Sequence, residues 1–251
     1  MHKGEHLEDT FERALTTPIP QVPGVDGRKN VEVIECGEPF VLLDDLSPDH
    51  IVVSPEYALR GYRNTMRHAF ARWQVAGMLR AAARLLPRSY RLMIWDSWRP
   101  IALQEEIFVR HRETLRRRHP EYDEARLIRE TEAYVSIPSR DPAAPAPHST
   151  GGAVDLTICD AAGFPLQMGT DFDHFGPEAA TRYFEEKAER GETLSDAERE
   201  ALTNRRFLYH VMTQQGFTNY REEWWHFDFG DQFWGQITGK PSIYSAREPD
   251  Y

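Results

Sequence analysis

Two short segments, about seventy residues apart, carry the side chains best able to do chemistry. The segment His148–Asp155 reads HSTGGAVD, and the segment Glu223–His226 reads EWWH. Two imidazoles and a carboxylate can hold a divalent metal and leave one coordination position open, which is the arrangement of a catalytic zinc site. The second carboxylate, Glu223, would stay off the metal and could move protons. The pattern therefore indicates a metal-dependent hydrolase.

Each of these residues has a simpler explanation when it is considered alone. Asp155 lies in an apolar strand segment, where a carboxylate needs a strong partner, and an arginine or a helix N-terminus would serve as well as a metal. His148 alone would be a surface or hydrogen-bonded loop histidine, and His226 a core histidine bonded to a neighbour such as Asp228. Arg99 would form a salt bridge at a helix start or, at the end of its strand, face a carbonyl oxygen. Only the combination favours a metal site.

The spacing of Glu223 and His226 makes a geometric demand. The aromatic alternation over residues 224–229 predicts a strand. Two side chains at an odd offset in an ideal strand point to opposite faces of the sheet. Glu223 must therefore lie at a bend just before the strand if both residues serve one site.

The elements that must position these residues mix helices and strands without strict alternation. Apolar runs predict strands at 40–43, 51–53, 90–95 and 153–158, and periodicity predicts helices at 66–86, 100–117, 123–134, 177–190 and 195–215. Ser195 and Glu198 fit a capping box, and Gly216 suits a helix C-terminus. We predict one α+β domain over residues 31–240, with an N-terminal arm at 1–30 and a C-terminal tail at 241–251.

Composition excludes some classes of partner. The chain has 251 residues and a formal net charge of −10, which argues against a nucleic-acid or acidic-membrane partner. It has no apolar run of membrane-spanning length, and its charged N-terminus lacks the apolar stretch of a secretory signal, so we expect a cytoplasmic protein. Cys36 and Cys159 form no Cys-x-x-Cys pair and are expected to be free, buried thiols.

The order of five segments resembles the zinc D-alanyl-D-alanine dipeptidases. This group includes the vancomycin-resistance dipeptidase and is related to D,D-carboxypeptidases, lysostaphin-type peptidases and the hedgehog domain. The segments are WDSWRP at 95–100, HSTGGAVDLT at 148–157, MGTDFD at 168–173, NRRFL at 204–208 and EWWH at 223–226. The chain departs from the family pattern at Ala146, where the family usually has a serine, and in the proline-rich loop before His148.

The resemblance implies a hedgehog-like α+β fold in which helices flank a central, mainly antiparallel sheet. It also implies one Zn²⁺ per chain and a role for each of six residues. The zinc ligands would be His148, Asp155 and His226, the general base Glu223, the oxyanion-stabilising group Arg99, and the group that binds the substrate's ammonium Asp173.

The implied reaction is zinc-dependent hydrolysis of D-Ala-D-Ala, or of a closely related dipeptide, by a metal-activated water in peptidoglycan metabolism. Two alternatives remain open. One is a D,D-carboxypeptidase or cell-wall endopeptidase, and the other is a zinc-binding domain without catalysis. Glu223 and Arg99 favour catalysis, and the ammonium-binding Asp173 favours a dipeptide. The sequence leaves the oligomeric state unknown.

Overall fold

Seven strands form two sheets in residues 11–250, the part of the chain that the computed structural model describes. Two of these strands pair antiparallel in a small sheet, β1 with β3, and the other five form the main sheet in the order β2-β4-β5-β7-β6. The strands are β1 Phe40–Leu42, β2 Ile51–Val53, β3 Phe70–Arg72, β4 Tyr90–Asp96, β5 Ala153–Asp160, β6 Thr218–Asn219 and β7 His226–Asp228.

The main sheet is mixed, so the expectation of a mainly antiparallel sheet was wrong, whereas the α+β class is confirmed. β2 runs parallel to β4, and the remaining neighbours in the sheet are antiparallel. A parallel pair needs a long crossover connection, and residues 54–89 supply one that contains a strand and two helices. That crossover was hidden in the sequence because its short strand was read as part of a helix.

Helices cover both the crossover and the long connections between strands. Their bounds are α1 Glu56–Leu59, α2 Trp73–Ala83, α3 Ile101–Arg118, α4 Glu124–Glu132, α5 Tyr183–Glu189, α6 Asp196–Thr213 and α7 Gln232–Thr238. Residues 11–16 are also helical. Ser195 and Glu198 form the predicted capping box ahead of α6. Among the described residues, no helix combines the length and the apolar character needed to cross a bilayer.

Two predicted helices are shorter than expected, for different reasons. The three residues of β3 were predicted to belong to a helix over 66–86, but they pair with β1, and α2 begins only at Trp73. The helix predicted over 177–190 is interrupted, since Thr181 donates its backbone N–H to the carbonyl of Arg221 and its hydroxyl to Asn219. Such long-range bonds are not visible in local periodicity.

The hydrophobic core lies against the main sheet. Alternate residues of β5, among them Val154, Leu156 and Ile158, belong to one buried cluster with Leu79 of α2 and Phe207 of α6. The intervening positions of β5 include Asp155, which is also buried but polar. One face of the central strand therefore builds the core and the other carries the predicted chemistry.

Residues 1–10 of the predicted arm and Tyr251 of the predicted tail lie outside the described residues. The described parts of both contact the domain. In the arm, the backbone carbonyls of Thr17 and Ile19 accept from His210 and Arg182, and in the tail Ser242 forms an isolated parallel bridge with Val33. Both cysteines are free, as expected, but Cys36 is exposed and only Cys159 is buried.

Arg72 joins four separate parts of the chain. Its fully buried guanidinium donates to the carboxylate of Glu35 and to the carbonyls of Glu38, Thr150 and Ser245. The group also lies over two aromatic rings, at 4.7 Å and 4.9 Å from their centroids. This side chain therefore ties the N- and C-terminal segments to the loop that precedes β5.

We expect Arg72→Met to lower the free energy of unfolding by roughly 3 kcal/mol, because it leaves the carboxylate and carbonyl partners without a buried donor. Arg80→Met, at an exposed position of α2, is the matched control and should change stability by less than about 0.5 kcal/mol. Urea denaturation of the metal-free protein measures both. Equal stability of the two variants would contradict the role given to Arg72.

Candidate metal centre

The register of the main sheet brings Asp155 and His226 together. Asp155 of β5 lies directly opposite His226 of β7, and Asp96 at the end of β4 lies opposite Asp155 on the other side. Directly opposed residues of antiparallel strands project on the same face with their Cβ atoms about 5 Å apart. Three neighbouring strands therefore place polar side chains in one row, on the face away from Val154 and Leu156.

His148 reaches this row from a 3₁₀ turn, Pro147–Thr150, that leads into β5. Its backbone carbonyl accepts from the backbone N–H of Arg99, and its Nδ1 lies 2.8 Å from the carbonyl of Ser97. The turn ends at Gly151, whose φ of +74° suits glycine. At the next position, Gly152, a Cβ would collide with the carbonyl of Phe229. The two glycines thus let the turn approach the sheet closely.

The three predicted ligands, all buried, come together at distances that suit zinc. Nε2 of His148 lies 3.2 Å from Nδ1 of His226 and 3.2 Å from Oδ2 of Asp155, while Oδ1 of Asp155 lies 2.9 Å from Nδ1 of His226. A tetrahedral ion with bonds of about 2.0–2.1 Å has ligands separated by about 3.3 Å. The spacing of these atoms therefore fits one tetrahedral ion and leaves its fourth position for water or substrate.

Hydrogen bonds from the far side of each imidazole determine which nitrogen faces the centre. Nδ1 of His148 donates to the Ser97 carbonyl, so its Nε2 presents a lone pair. Nε2 of His226 lies 2.8 Å from Oδ1 of Asp228, so its Nδ1 does the same. Two imidazole lone pairs and a carboxylate that face one another are stabilised when a cation lies between them. The hydrogen bond between His226 and Asp228, considered above as an alternative to a metal, is compatible with one because each uses a different ring nitrogen.

The charges in this group shift one another's protonation. Burial raises the pKa of Asp155, but the two imidazoles outweigh burial and hold that pKa below its usual value. Burial lowers the pKa of His226, but the carboxylates of Asp228 and Asp155 outweigh it and raise the pKa well above its usual value. In the metal-free protein a proton on His226 thus supplies the positive charge that a cation would bring.

Glu223 lies in a turn ahead of β7, as its offset from His226 requires. The turn is closed by backbone hydrogen bonds from Glu223 to the Tyr220 carbonyl and from His226 to the Glu223 carbonyl. The side chain of Asn219 donates to the carbonyls of both Glu223 and His226. Oε2 of Glu223 is 3.7 Å from Nδ1 of His226. Burial, with the nearby Asp155 and Asp173 carboxylates, raises the pKa of Glu223 to about 8.

Arg99 leaves the end of β4 and faces the centre, where acceptors surround its guanidinium. Nε donates to Asp96 at 2.7 Å and Nη1 to Gln104 at 2.7 Å. Nη2 makes two longer contacts of 3.3 Å, to the hydroxyl of Tyr57 and to Oδ2 of Asp155. The group is held firmly by two nitrogens, and the third has the weaker contacts.

Asp173 is not one of the three candidate metal ligands and lies on the Tyr57 side of Arg99. Its carboxylate accepts from the hydroxyl of Tyr57 at 3.2 Å and pairs with Arg60 at 3.3 Å. Asp173 is the one non-glycine residue among those described that has a positive φ, at +59°. Aspartate tolerates this conformation better than most residues do. Burial raises the pKa of Asp173 to about 7. The same cavity is lined by Asp173, by the three candidate ligands and by Glu223.

Several contributors to the centre were not found from the sequence. Tyr57 and Ser97 act through bonds to residues distant in the chain, and Gln104 and Asn219 through bonds to residues five and seven positions away. No local sequence pattern predicts these hydrogen bonds. Asp228 is the exception, since it follows His226 by two positions and therefore shares its face of the strand.

Asp231 supports the hydrogen bond between Asp228 and His226. The second carboxylate oxygens of Asp228 and Asp231 are buried and lack an N–H or hydroxyl donor among the described residues. Burial, together with the Asp228 carboxylate, raises the pKa of Asp231 well above its usual value. A proton on Asp231 would give the Asp228 carboxylate a donor and so link the two groups. The other oxygen of Asp231 caps α7 by accepting from the backbone N–H of Trp234.

Replacing Asp231 tests this link. Asp231→Asn keeps a donor for Asp228 and an acceptor for the helix cap, so we expect near-parental stability and zinc affinity. Asp231→Ala removes both, at a cost of about 1–3 kcal/mol for the unsatisfied carboxylate and about 1 kcal/mol for the cap. Chemical denaturation and competition with a chromophoric zinc chelator measure the two effects. An Asn variant as damaged as the Ala variant would contradict the shared proton.

Asp173→Asn tests the raised pKa of Asp173. Between the usual pKa of 3.8 and the folded value of about 7, the folded metal-free chain keeps a proton that the unfolded chain has released. The parent therefore loses stability over this interval as the pH rises, whereas the neutral asparagine does not. We expect the stability of Asp173→Asn relative to the parent to increase from about pH 4 to pH 7 and then to level off, in urea denaturation with a chelator. A difference that is independent of pH would refute the shift.

Most of the chain is similar to a known family of peptidases. Residues 60–241 match the family model of the peptidase M15 group described as D-Ala-D-Ala dipeptidase. A D-alanyl-D-alanine dipeptidase of Synechocystis sp. is 30% identical over 175 residues, which are 65% of this chain and 66% of that protein. The enzyme of the same name from Enterococcus faecalis is 30% identical over 151 residues, 57% of this chain and 64% of the relative.

These matches cover slightly less than two thirds of the relatives' own length. The matched region nevertheless contains all six residues for which the resemblance implies a role, from Arg99 to His226. Because the family model covers well over half of the sequence, the chain belongs to the M15 peptidase family of D-Ala-D-Ala dipeptidases.

Proposed function

We propose that this protein is a zinc-dependent dipeptidase that hydrolyses D-Ala-D-Ala, or a closely related dipeptide, in peptidoglycan metabolism. The observation that carries the proposal is the meeting of His148, Asp155 and His226 at 2.9–3.2 Å with Glu223 beside them. Family membership supports the same conclusion. The predicted cytoplasmic location and the absence of nucleic-acid and membrane partners are part of the proposal.

One Zn²⁺ held by those three residues would supply a water with a pKa near 7 and would polarise the scissile carbonyl. Glu223 is positioned to take a proton from the attacking water and to pass it to the leaving amine. Burial raises the pKa of Glu223, and the charge of the zinc would lower it again towards the ionised form that a general base needs.

Arg99 would stabilise the negative charge that develops on the carbonyl oxygen. Both contacts of its Nη2 are 3.3 Å long, so the N–H groups of Nη2 are the most available to this oxygen. Nε and Nη1 keep the guanidinium in place. A fixed cation in a buried site acts without having to reorganise solvent. Asp173, supported by the Tyr57 hydroxyl, would bind the substrate's ammonium and so favour a peptide with a free N-terminus.

Glu223→Gln separates the chemistry from metal binding. We expect the zinc-loaded parent to release D-alanine from D-Ala-D-Ala, and Glu223→Gln to lose roughly 10²–10⁴-fold in kcat while it still binds one zinc per chain. Zinc content by elemental analysis is the control. His148→Ala should lose both zinc and activity. A Glu223→Gln variant as active as the parent would overturn the mechanism.

The two other functions predict different results in the same assay. A D,D-carboxypeptidase or endopeptidase would cleave N-acylated or longer peptides better than the free dipeptide, since it has no use for an ammonium site. A zinc-binding domain without catalysis would bind one zinc and cleave none of the substrates. The carboxylate of Asp173 in the cavity wall favours the dipeptide.

A further inference from the structure

The cavity of the candidate centre contains a cation that has no carboxylate partner among residues 11–250. Two arginines line this cavity, Arg28 and Arg99. The charge of Arg99 is matched by Asp96 and Asp155. Arg28 has no ion pair with any residue in the described range 11–250, and its guanidinium lies 5.0 Å from the centroid of the Phe233 ring. A partly buried guanidinium resting on an aromatic face keeps its hydrogen-bond donors available at the ring's edge.

Arg28 lies close to the centre although it is distant in sequence. The Phe233 ring that carries its guanidinium is 6.0 Å from the ring of His226, measured between centroids. One aromatic ring therefore separates the cation from a candidate zinc ligand. Arg28 also lines two neighbouring cavities, so it lies at the edge of the site.

The backbone that carries Arg28 is held in place. Arg28 begins a 3₁₀ turn whose backbone bonds join Arg28 to Val25 and Val31 to Arg28. The carbonyl of Val31 accepts from the side chain of Gln232, the first residue of α7. A cation fixed in this way binds an anion with little loss of conformational entropy.

The cavity therefore has an anionic group and a cationic group in different parts of its wall. Asp173, with the Tyr57 hydroxyl, lies on the Arg99 side, and Arg28 lies on the Phe233 side. A zwitterionic dipeptide has the matching pattern, with an ammonium at one end and a carboxylate at the other. Fully extended, two residues span about 7 Å.

We propose that Arg28 binds the C-terminal carboxylate of the dipeptide and so selects substrates with a free C-terminus. This inference rests on the proposed function and deepens it. It assigns a substrate contact to a residue outside the region 60–241 that matches the family. The planar guanidinium suits a carboxylate because it can donate two parallel hydrogen bonds.

The test compares D-Ala-D-Ala with its C-terminal amide on zinc-loaded parent, Arg28→Met and Arg28→Lys. For the free acid we expect Arg28→Met to raise KM about 10- to 100-fold, the equivalent of losing a charge-assisted pair, with little change in kcat. Arg28→Lys should recover part of the loss, since it keeps the charge without the planar pair of donors. For the amide, the parent and Arg28→Met should have similar KM values.

Lys29→Met is the matched control. It removes one positive charge from the same turn at an exposed position that does not line the cavity of the centre, and it should leave KM unchanged. The proposal is wrong if Arg28→Met weakens acid and amide equally, which would indicate a structural effect. It is also wrong if Lys29→Met raises KM as much as Arg28→Met does, which would indicate long-range attraction.

A binding measurement distinguishes failure of this inference from failure of the proposed function. If the parent cleaves neither substrate, the proposed dipeptidase activity is wrong, and tryptophan fluorescence titration with D-Ala-D-Ala then tests Arg28 alone. Binding to the parent that is at least tenfold tighter than to Arg28→Met would support the carboxylate contact. Equal affinity, or no binding to the parent, would overturn it.

Discussion

Three lone-pair donors face one another in the interior, and most of the surrounding structure serves to keep them there. Asp155 occupies a buried strand position, where an isolated carboxylate would be strongly unfavourable. Its neighbours at 2.9 Å and 3.2 Å are imidazole nitrogens whose other ring positions are already bonded. Protein groups alone satisfy this arrangement only by adding a proton, and a divalent cation satisfies all three at once. The register between β5 and β7 is fixed accordingly, since a slip of one residue would move Asp155 into the apolar core.

The support for these donors comes from two kinds of hydrogen bond. The carbonyl of Ser97 orients His148, and a hydrogen bond from the side chain of Asn219 to the carbonyl of Glu223 stabilises the turn of Glu223. Both bonds depend on how the loops are folded. A pair of buried carboxyl groups, Asp228 and Asp231, orients His226 and caps the helix that follows. Because Asp231 also caps α7, the position of His226 depends on the packing of α7 as well as on the sheet. Such outer contacts commonly decide how well a site holds its metal.

The three residues that could hold a metal were predicted from the sequence because the chemistry of metal binding restricts the residue types. Imidazole and carboxylate are needed for zinc, and their spacing relative to glycine and aromatic residues is distinctive. The bend at Glu223 followed from the two-residue period of a strand, and the structure has it. The parallel pairing of β2, the strand hidden at Phe70–Arg72 and the interruption at Thr181 could not be predicted, because each depends on a partner far along the chain. The same holds for Tyr57, which contacts Arg99 across 42 positions of the chain.

Buried arginines complete the architecture, and each is satisfied in a different way. Arg72 has a carboxylate partner, whereas Arg205 donates only to the carbonyls of Met168, Glu178 and Ala180, and burial lowers its pKa to about 9. Those carbonyls lie on both sides of Asp173, so a cation inside the domain fixes the loop that carries this carboxylate. Arg28 acts from the opposite side and on a segment that precedes the matched region. Loops around a rigid scaffold are where related enzymes vary most. The three candidate metal ligands therefore lie inside the region that matches the family, whereas the proposed wall for the ends of the substrate combines Asp173 from that region with Arg28 from outside it.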